Sequence, residues 1–598
     1  MPTQGITFGG QYIYLPGAYY QDNVSAAAPV TPPTTPPLLF IGYGWGPKPL
    51  TPQTYTSPQA LLAALRGSPA SAFVQFFANP SPALNGAQLV TFIDASTNTQ
   101  ASAAILTSGG TSFANLTSAL YGPPSNQIQY QVSAASVSGR KLTLLANYSG
   151  TELVGDNLGA PFEIAYAGAA TGSVSYSVTS GATSGTFSLT SPVAGESYTL
   201  NTGSGAYATV SQLVTAINAN PNTLANLLSA TNGTLPANLL SPVSSGGLVT
   251  GSVYAAVHAY QNDMLWWVNN FAYTIATAVS GAGSTDTIAS NPATTTFTYF
   301  SGATGGIPTS GGYASALNIG LSQLAWVVLC DNNTVGVQAL LAQHCELASS
   351  APYGMWRRGV TGSSIGDSVA TTETNATNLD SLQMSYAYPG IYAVSTLTNT
   401  LQLYGGLYVA AAAAGIMCGN QIALPLTNKV LNGTGVETPG GSALTTSQLS
   451  ALQNNGVMAV YVPQQSQVPT ILSDVTTWQV DSNIENTSSQ QVACRYWLAY
   501  SVVNVLSQYI GTIATPTQEA DILKDVTILL NSLINTGTGS NGVLVSWVPG
   551  SLNLTYTGSN QLAAITFQAV LVGQNRFVTC YASIQPLNFS ISATAQGS

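Results

Sequence analysis

Residues 300–388 constrain the fold more than any other part of the sequence. Leu324 to Cys330 is a short apolar run, of the length and β-branched content expected of a strand buried on both faces. Asp331-Asn332-Asn333-Thr334 comes next and offers side-chain oxygens to cap a helix. Val337, Leu340, Leu341, His344, Cys345 and Ala348 then recur at helical spacing, so one face of that helix is expected to pack on the strand. A second strand over 353–360, a loop, a helix near 369–381 and a third run over 383–388 complete a β-α-β-α-β series. Strands joined in this way pair in parallel through right-handed crossovers. Upstream, a turn-rich lead from Phe300 to Tyr313 enters a further helical pattern through Ala316 and Leu317.

The 598 residues have room for about four units of roughly 150 residues each. Only 5% of them are charged, against roughly 25% in ordinary globular proteins, while the hydrophobic share of 45% is ordinary. Ser, Thr, Asn, Gln and Gly replace the missing charge, and disorder needs low hydrophobicity with high net charge. Lys and Glu are depleted where one protein surface faces another, so the composition fits a β-rich chain that keeps much of its outside against neighbours. An unusual host environment selects the same composition. A net charge of −10, with ten Lys and Arg in the whole chain, leaves no cationic track for nucleic acid. The five cysteines form no C-x-x-C pair, which argues against a disulfide framework or a zinc site. Reduced, buried thiols are expected, with Cys580 the one placed to meet a neighbouring chain. The N-terminus has neither the basic nor the apolar region of a secretion signal, so cytoplasmic synthesis is expected. Leu403 to Cys418 is Ala- and Gly-rich and shorter than the ~20 residues of a membrane span, so it is read as a buried helix.

Around this centre the chain divides into stretches. Residues 1–37 read as an arm: a short strand from Gln11 to Leu15, a turn at Pro16-Gly17-Ala18-Tyr19, and a proline-rich linker from Pro29 to Pro37. Residues 38–98 hold a strand at Leu38 to Ile41, the loop Gly42-Tyr43-Gly44-Trp45-Gly46-Pro47, a helix capped by Ser57-Pro58, a second helix near 71–78 and a strand over 88–94. Residues 99–245 alternate in short strands separated by Gly, Ser and Thr, and carry a helix within 207–218. Val253 to Ala278, with Trp266 and Trp267, is expected to be one long packing helix. From 399 the pattern is α+β. It includes a capping box at Thr445 to Gln448, a strand over 457–462, and an apolar seam at Val492, Tyr496, Ala499, Val503, Leu506 and Ile510. A helix capped at Thr515-Pro516 comes after it, and then strands over 543–548, 552–556, 565–572 and 577–584.

This ordered series resembles the phage contractile tail sheath protein family, with its subtilisin-like sheath domain and sheath C-terminal domain. The matching residues run along most of the chain. Pro16 to Tyr19 stands where the family has P-G-V-Y, and Gly42 to Pro47 where it has v-G-x-a-x-x-G-P. Tyr121 to Asn126 resembles G-x-x-G-N, with Pro124 and Ser125 departing from it. Ala303 to Gly306 stands for L-x-G-G, Leu341 to His344 for l-x-x-H, and Arg357-Arg358-Gly359 for the Arg-bearing strand. Further on, Leu449 to Gly456, Arg495 and Tyr509-Ile510-Gly511 match the C-terminal domain. Ala303 in place of Leu, and Cys345 after His344, are departures.

The resemblance implies an α+β and α/β multidomain fold: an arm (1–37), an N-terminal sheath domain (38–98), a β-rich surface insertion (99–245), a non-catalytic subtilisin-like α/β domain (246–398), a C-terminal sheath domain (399–568) and a C-terminal strand (569–598). It implies a structural subunit that stacks as hexameric rings around a tail tube and contracts to drive the tube through a host envelope. Copies of itself, the tube protein, and baseplate and tail terminator or neck proteins would be its partners, and the virion tail its place after assembly in host cytoplasm. No cofactor, metal, nucleic acid or membrane span is implied. The arms would exchange strands between subunits through Tyr12, Ile13, Tyr14, Val578, Tyr581, Phe589 and Ile591. Glu519, Asp521, Lys524 and Asp525, gathered at the start of one helix, would face the tube. Other contractile injection machines share these features.

Enzymatic readings fare worse. Gly362-Ser363-Ser364-Ile365-Gly366 matches the nucleophile elbow G-x-S-x-G and comes after a strand. Gly and Ser are so common here that chance matches are expected, and the only histidines are His258 and His344. A hydrolase order of Asp331, His344 and Ser364 competes with a helix-capping role for Asp331 and a core role for His344. Asp331 to Gly336 begins like a calcium loop, but Val335 and Ala342 occupy ligand positions. Arg357-Arg358 and Arg140-Lys141 are read as solvated charge or as intersubunit ion pairs. A surface-layer or adhesive β-protein remains the alternative structural reading, and a serine hydrolase the enzymatic one.

Overall fold

The computed structural model describes residues 6–8, 11–13, 36–169, 172–181, 183–203, 207–220, 222–281, 292–350, 354–464, 467–511, 515–537, 542–557 and 562–574. Apolar segments too short for helices and buried on both faces collect into one eight-stranded sheet. Its strands are β1 (Leu38–Gly42), β2 (Gln53–Tyr55), β3 (Val90–Asp94), β4 (Val327–Cys330), β5 (Arg358–Gly362), β6 (Met384–Tyr388), β7 (Val457–Tyr461) and β8 (Thr470–Ile471). They lie in the order β8-β7-β6-β5-β4-β1-β3-β2. The run from β7 to β3 is parallel, with β8 and β2 antiparallel at the edges. Strands from three of the stretches separated in the sequence, 38–98, 246–398 and 399–568, therefore share this sheet.

The expected β-α-β-α-β series is present as β4, a helix over Val335–Ser349, β5, a helix over Val369–Leu379, and β6. The helices that pack on the sheet or border it are α1 (Ser71–Ala78), α2 (Ser310–Gly320), α3 (Val335–Ser349), α4 (Val369–Leu379), α5 (Gly406–Gly419), α6 (Ser489–Ser507) and α7 (Pro516–Ser532). On one face of the sheet, Tyr313 and Leu317 of α2 and Val337, Leu341 and Cys345 of α3 pack against Leu39, Ile41, Ile93 and Val328. On the other, α1, α5 and α6 cover Phe40, Phe92, Val327, Leu329 and Val360. The approach of α5 is close because it carries glycine there. A Cβ on Gly415 would lie 2.3 Å from the Phe77 carbonyl oxygen, and one on Gly419 2.4 Å from that of Gly86.

Several elements differ from the sequence expectation. The strand expected over 353–360 is Arg358–Gly362, because the N–H groups of Gly354 and Met355 bond back to the carbonyls of Ser350 (3.0 Å) and Ala348 (2.8 Å) and hold these two residues to the end of α3. The Ala-rich helix begins at Gly406, with Leu403 and Tyr404 in the strand Leu401–Tyr404 paired to Ile391–Val394. Within the expected long helix 253–278, only Tyr260–Phe271 is helical. Asn269 ends it by bonding both the N–H and the C=O of Ala278 (2.8 and 2.9 Å), and Ala276–Ser280 pairs with the strand Ser112–Tyr121. The predicted capping box at Thr445 with Gln448 closes, and a second one, not expected from the sequence, closes at Thr209 with Gln212.

The β-rich part is two nested modules with separate cores. Residues 101–158 and 264–303 supply Ile105, Phe113, Leu116, Ile128, Leu144, Trp267 and Phe300 to one. Residues 162–259 supply Phe162, Ile164, Val178, Phe187, Leu213 and Ile217 to the other. The N-terminal strands Ile6–Phe8 and Gln11–Ile13 pair with each other.

Candidate functional site

Strand order reverses between β1 and β4, because the chain proceeds from β1 outward to β3 on one side and from β4 to β5 and β6 on the other. In α/β enzymes the crevice at the carboxyl ends beside such a reversal holds the ligand. Here the chain's own carboxylates take up the amides at that end. Asp331, next after β4, accepts the Tyr43 N–H on Oδ2 (2.6 Å) and the Tyr313 hydroxyl on Oδ1. Asp94, the last residue of β3, accepts the N–H groups of Gly44 (3.2 Å) and Ser96 (3.0 Å), the Ser96 hydroxyl (2.7 Å) and the Asn98 amide (3.0 Å). Further along, buried Glu437 accepts the N–H groups of Gly366 (2.6 Å) and Gly390 (3.1 Å). Burial pushes the carboxyls of Asp94 and Asp331 up to about 6, and Asp94 also raises its neighbour.

The residues of the hypothetical triad go to different partners. Ser364 Oγ accepts from the Asn333 amide (2.8 Å), and the Ser364 N–H bonds Asp367 (2.8 Å). Asp331 is not the cap of α3: Thr334 holds that position, without a side-chain bond, and Asp331 is engaged with Tyr43 and Tyr313. His344 is buried on the face of α3 predicted for it, with Nε2 3.1 Å from Arg357 Nη1. Burial first, and the Arg357 charge second, depress its ring to about 3.

Arg357 and Arg358 are the larger surprise. Neither is solvated, because adjacent residues at the start of β5 project into opposite buried layers. Arg357 donates to the carbonyls of Gly320 (3.0 Å), Gln323 (3.0 Å) and Met355 (3.2 Å), so it closes the C-terminal end of α2, where a cation is favoured by the helix dipole. Arg358 donates to Ser489 at the start of α6 and lies over the Trp326 ring at 5.3 Å. The His and Arg of the sheath-like motif thus form a buried clamp between α2, α3 and β5. An Arg inside a short apolar strand was its one legible signal.

Of the expected tube-facing residues on α7, Asp521 and Lys524 are exposed and Glu519 is half-buried. Asp525 is engaged within the chain, accepting the Tyr509 hydroxyl (2.5 Å) and the Gln508 amide (3.1 Å) from the residues just after α6. Partial burial, with the charges of Asp525 and Asp521, pushes the Tyr509 hydroxyl up to about 12. Of the expected arm residues, Tyr12 and Ile13 lie on the strand paired with Ile6–Phe8. Tyr14, Val578, Tyr581, Phe589 and Ile591 fall outside the described residues, as does Cys580. Cys330, Cys345, Cys418 and Cys494 are free and buried. Among the described residues no cluster of three or more His, Cys, Asp or Glu is arranged to hold a metal, and no helix is long and apolar enough to cross a membrane.

Sequence reading overlooked the hairpin 391–404. Its outer face carries Tyr392, Val394, Leu397 and Leu401, all exposed, and no charged residue. Near the C-terminus, Leu544–Trp547 pairs with Ala569–Leu571 and bridges Ile534 at Leu544, leaving Val545, Val548 and Val570 exposed.

A parallel body whose ligand crevice is filled by its own carboxylates, bearing a nested β insertion, has the fold of tail sheath proteins. It matches the sheath tail protein of Listeria innocua with a TM-score of 0.53 at 10% identity, over 90% of this chain and 93% of that one. The sheath tail protein of Desulfitobacterium hafniense matches with a TM-score of 0.51 at 10% identity, over 90% of this chain and 97% of that one. In sequence, the chain is 24% identical over 502 residues to the "Putative tail sheath protein" of Enterococcus phage phiEF24C, covering 82% of this chain and 83% of that protein. No family model matches the chain. The likeness to tail sheath proteins read from short motifs therefore holds in sequence and in fold.

Proposed function

We propose that this protein is the sheath subunit of a contractile tail, a structural protein without catalytic activity. The observation that carries the reading is the sequence likeness to a phage tail sheath protein along most of both chains. The subunits stack as hexameric rings around a tail tube, meet baseplate and neck proteins at the ends, and contract to drive the tube through the host envelope. They assemble in the host cytoplasm and act in the virion tail. The body is the subtilisin-like domain. The arm ends near residue 37, the C-terminal domain begins near 398 and the C-terminal strand near 568. The insertion, expected to end at 245, runs from 99 to about 303, because residues 255–303 share the cores of the β-rich modules.

Strand exchange links the copies. Tyr12, Ile13 and Tyr14 from one end, and Val578, Tyr581, Phe589 and Ile591 from the other, add strands to a neighbour's sheet, where backbone hydrogen bonds supply the affinity. The narrow ribbon of 544–547 and 569–571 supports this reading, since a two-stranded ribbon gains by further pairing. Glu519, Asp521, Lys524 and Asp525 on α7 are the proposed tube-facing group. Sliding of linked domains between two lattice packings supplies the contraction.

The test is negative-stain microscopy of the purified chain beside a version lacking residues 1–20. Tubes or stacked rings from the full chain, and folded subunits without tubes from the shortened one, are expected. Full-length protein that stays monomeric at every concentration would overturn the sheath reading. Tubes from both forms would overturn strand exchange alone.

A further inference from the structure

The last strand of the ribbon near the C-terminus runs on into partners outside the ribbon. The Val572 N–H still bonds the Val543 carbonyl (2.9 Å), but the Val572 carbonyl accepts from Gln490 Nε2 (3.0 Å). The second hydrogen of that amide goes to the Ala423 carbonyl (3.0 Å). Two residues on, Gln574 accepts the Thr427 hydroxyl on Oε1 (2.5 Å) and donates from Nε2 to Ser488 Oγ (3.3 Å). The strand end is thus gripped by both its backbone and a side chain.

The groups that grip it are rooted in the body. Ser488 and Gln490 are buried at the start of α6, beside Val492, Ala493 and Cys494 of the core. A buried amide costs stability unless it is hydrogen-bonded, and Gln490 uses both hydrogens to join Ala423 to Val572. Between the two, Ser489 accepts the Arg358 guanidinium (3.2 Å), which ties the start of α6 to β5. Thr427, on the chain after α5, accepts the Asp474 N–H (3.0 Å), and Asp474 accepts the Leu426 N–H (3.2 Å). Segments after α5, after β8 and at the start of α6 therefore meet where the C-terminal strand leaves the ribbon.

We propose that Thr427, Ser488 and Gln490 form a latch on Val572 and Gln574, so that tension on residues 575–598 passes into the body instead of peeling the strand away. A two-stranded ribbon is marginal alone, and a pull on one end loads its pairs one after another. The latch sits between the point of pull and the first pair, Leu571 with Leu544. Its bonds come from separate elements and meet the force together. Ser488 and Gln490 are buried, so breaking their bonds leaves polar groups unmatched away from water. Under the sheath reading the tension comes from a neighbouring copy, whereas the latch itself lies within one chain.

Constant-force pulling of single full-length chains, held by the C-terminus and by a handle at exposed Lys48, tests it. Gln574→Leu removes both side-chain bonds. Its first yield is expected at least about fivefold sooner than the parent's, at an unchanged urea midpoint. Thr427→Val, which lacks the hydroxyl, should also yield early, while Thr427→Ser, which keeps it, should match the parent. A first yield in Gln574→Leu as late as the parent's would overturn the latch, as would equal yields in Thr427→Ser and Thr427→Val. A lower urea midpoint in Gln574→Leu would assign Gln574 to general stability and overturn it too. Should Thr427→Val fail to fold, Gln574→Leu decides. Pulled chains are single, so the microscopy of tubes and rings stands or falls separately.

Discussion

Replacing Arg357 by Met isolates the buried clamp. Met fills much of the same volume but has no donor, so the carbonyls of Gly320, Gln323 and Met355 and the Nε2 of His344 lose their partner. Each buried acceptor left unmatched costs about 1 kcal/mol or more, for a gross loss of about 4 kcal/mol. Against this stands the relief of removing a charge that no carboxylate partner balances. The expected net loss is about 2–3 kcal/mol, read as a lower urea midpoint at constant slope.

His344 supplies a second readout. Its ring is depressed to about 3 by burial and then by Arg357, so the variant should titrate higher, yet still below the ordinary 6.5 because burial remains. The folded value lies below the unfolded one, so His344 contributes stability that is full above pH 6.5 and is lost as pH falls toward 3. At about 1.4 kcal/mol per unit, that loss reaches about 4–5 kcal/mol in the parent, and it should shrink in the variant. A variant as stable as the parent, or a His344 resonance that titrates unchanged, would refute the clamp.

Packing sets two further outcomes. Gly415→Ala places a methyl 2.3 Å from the Phe77 backbone oxygen, which α1 cannot yield cheaply. A cost of about 1–3 kcal/mol should outweigh the gain of up to about 1 kcal/mol in helix propensity, so melting temperature falls; a rise would show that propensity wins. Tyr509→Phe removes the hydroxyl that holds Asp525, and a loss of about 1 kcal/mol in urea denaturation is expected. Unchanged stability would mean that solvent satisfies Asp525 equally well.

Local sequence determined what depends on neighbours along the chain. The strand over 327–330, the buried face of α3, the capping boxes at Thr209 and Thr445, and the parallel order of β4, β5 and β6 all come from periodicity, caps and connection length. Tertiary structure decided what depends on partners distant in the chain. Nothing near Leu38 or Val457 marks them as strands of one sheet, because parallel pairing leaves no turn between partners. The end of the helix at Phe271 was set by pairing with a strand far earlier in the chain, Ser112–Tyr121. Asp331 looked like a cap, and Arg357 and Arg358 like surface charge, because composition does not say which polar groups a distant backbone will need. Burial and hydrogen-bond demand exist only once the layers have closed, and they turned those residues into the ties that hold the layers together.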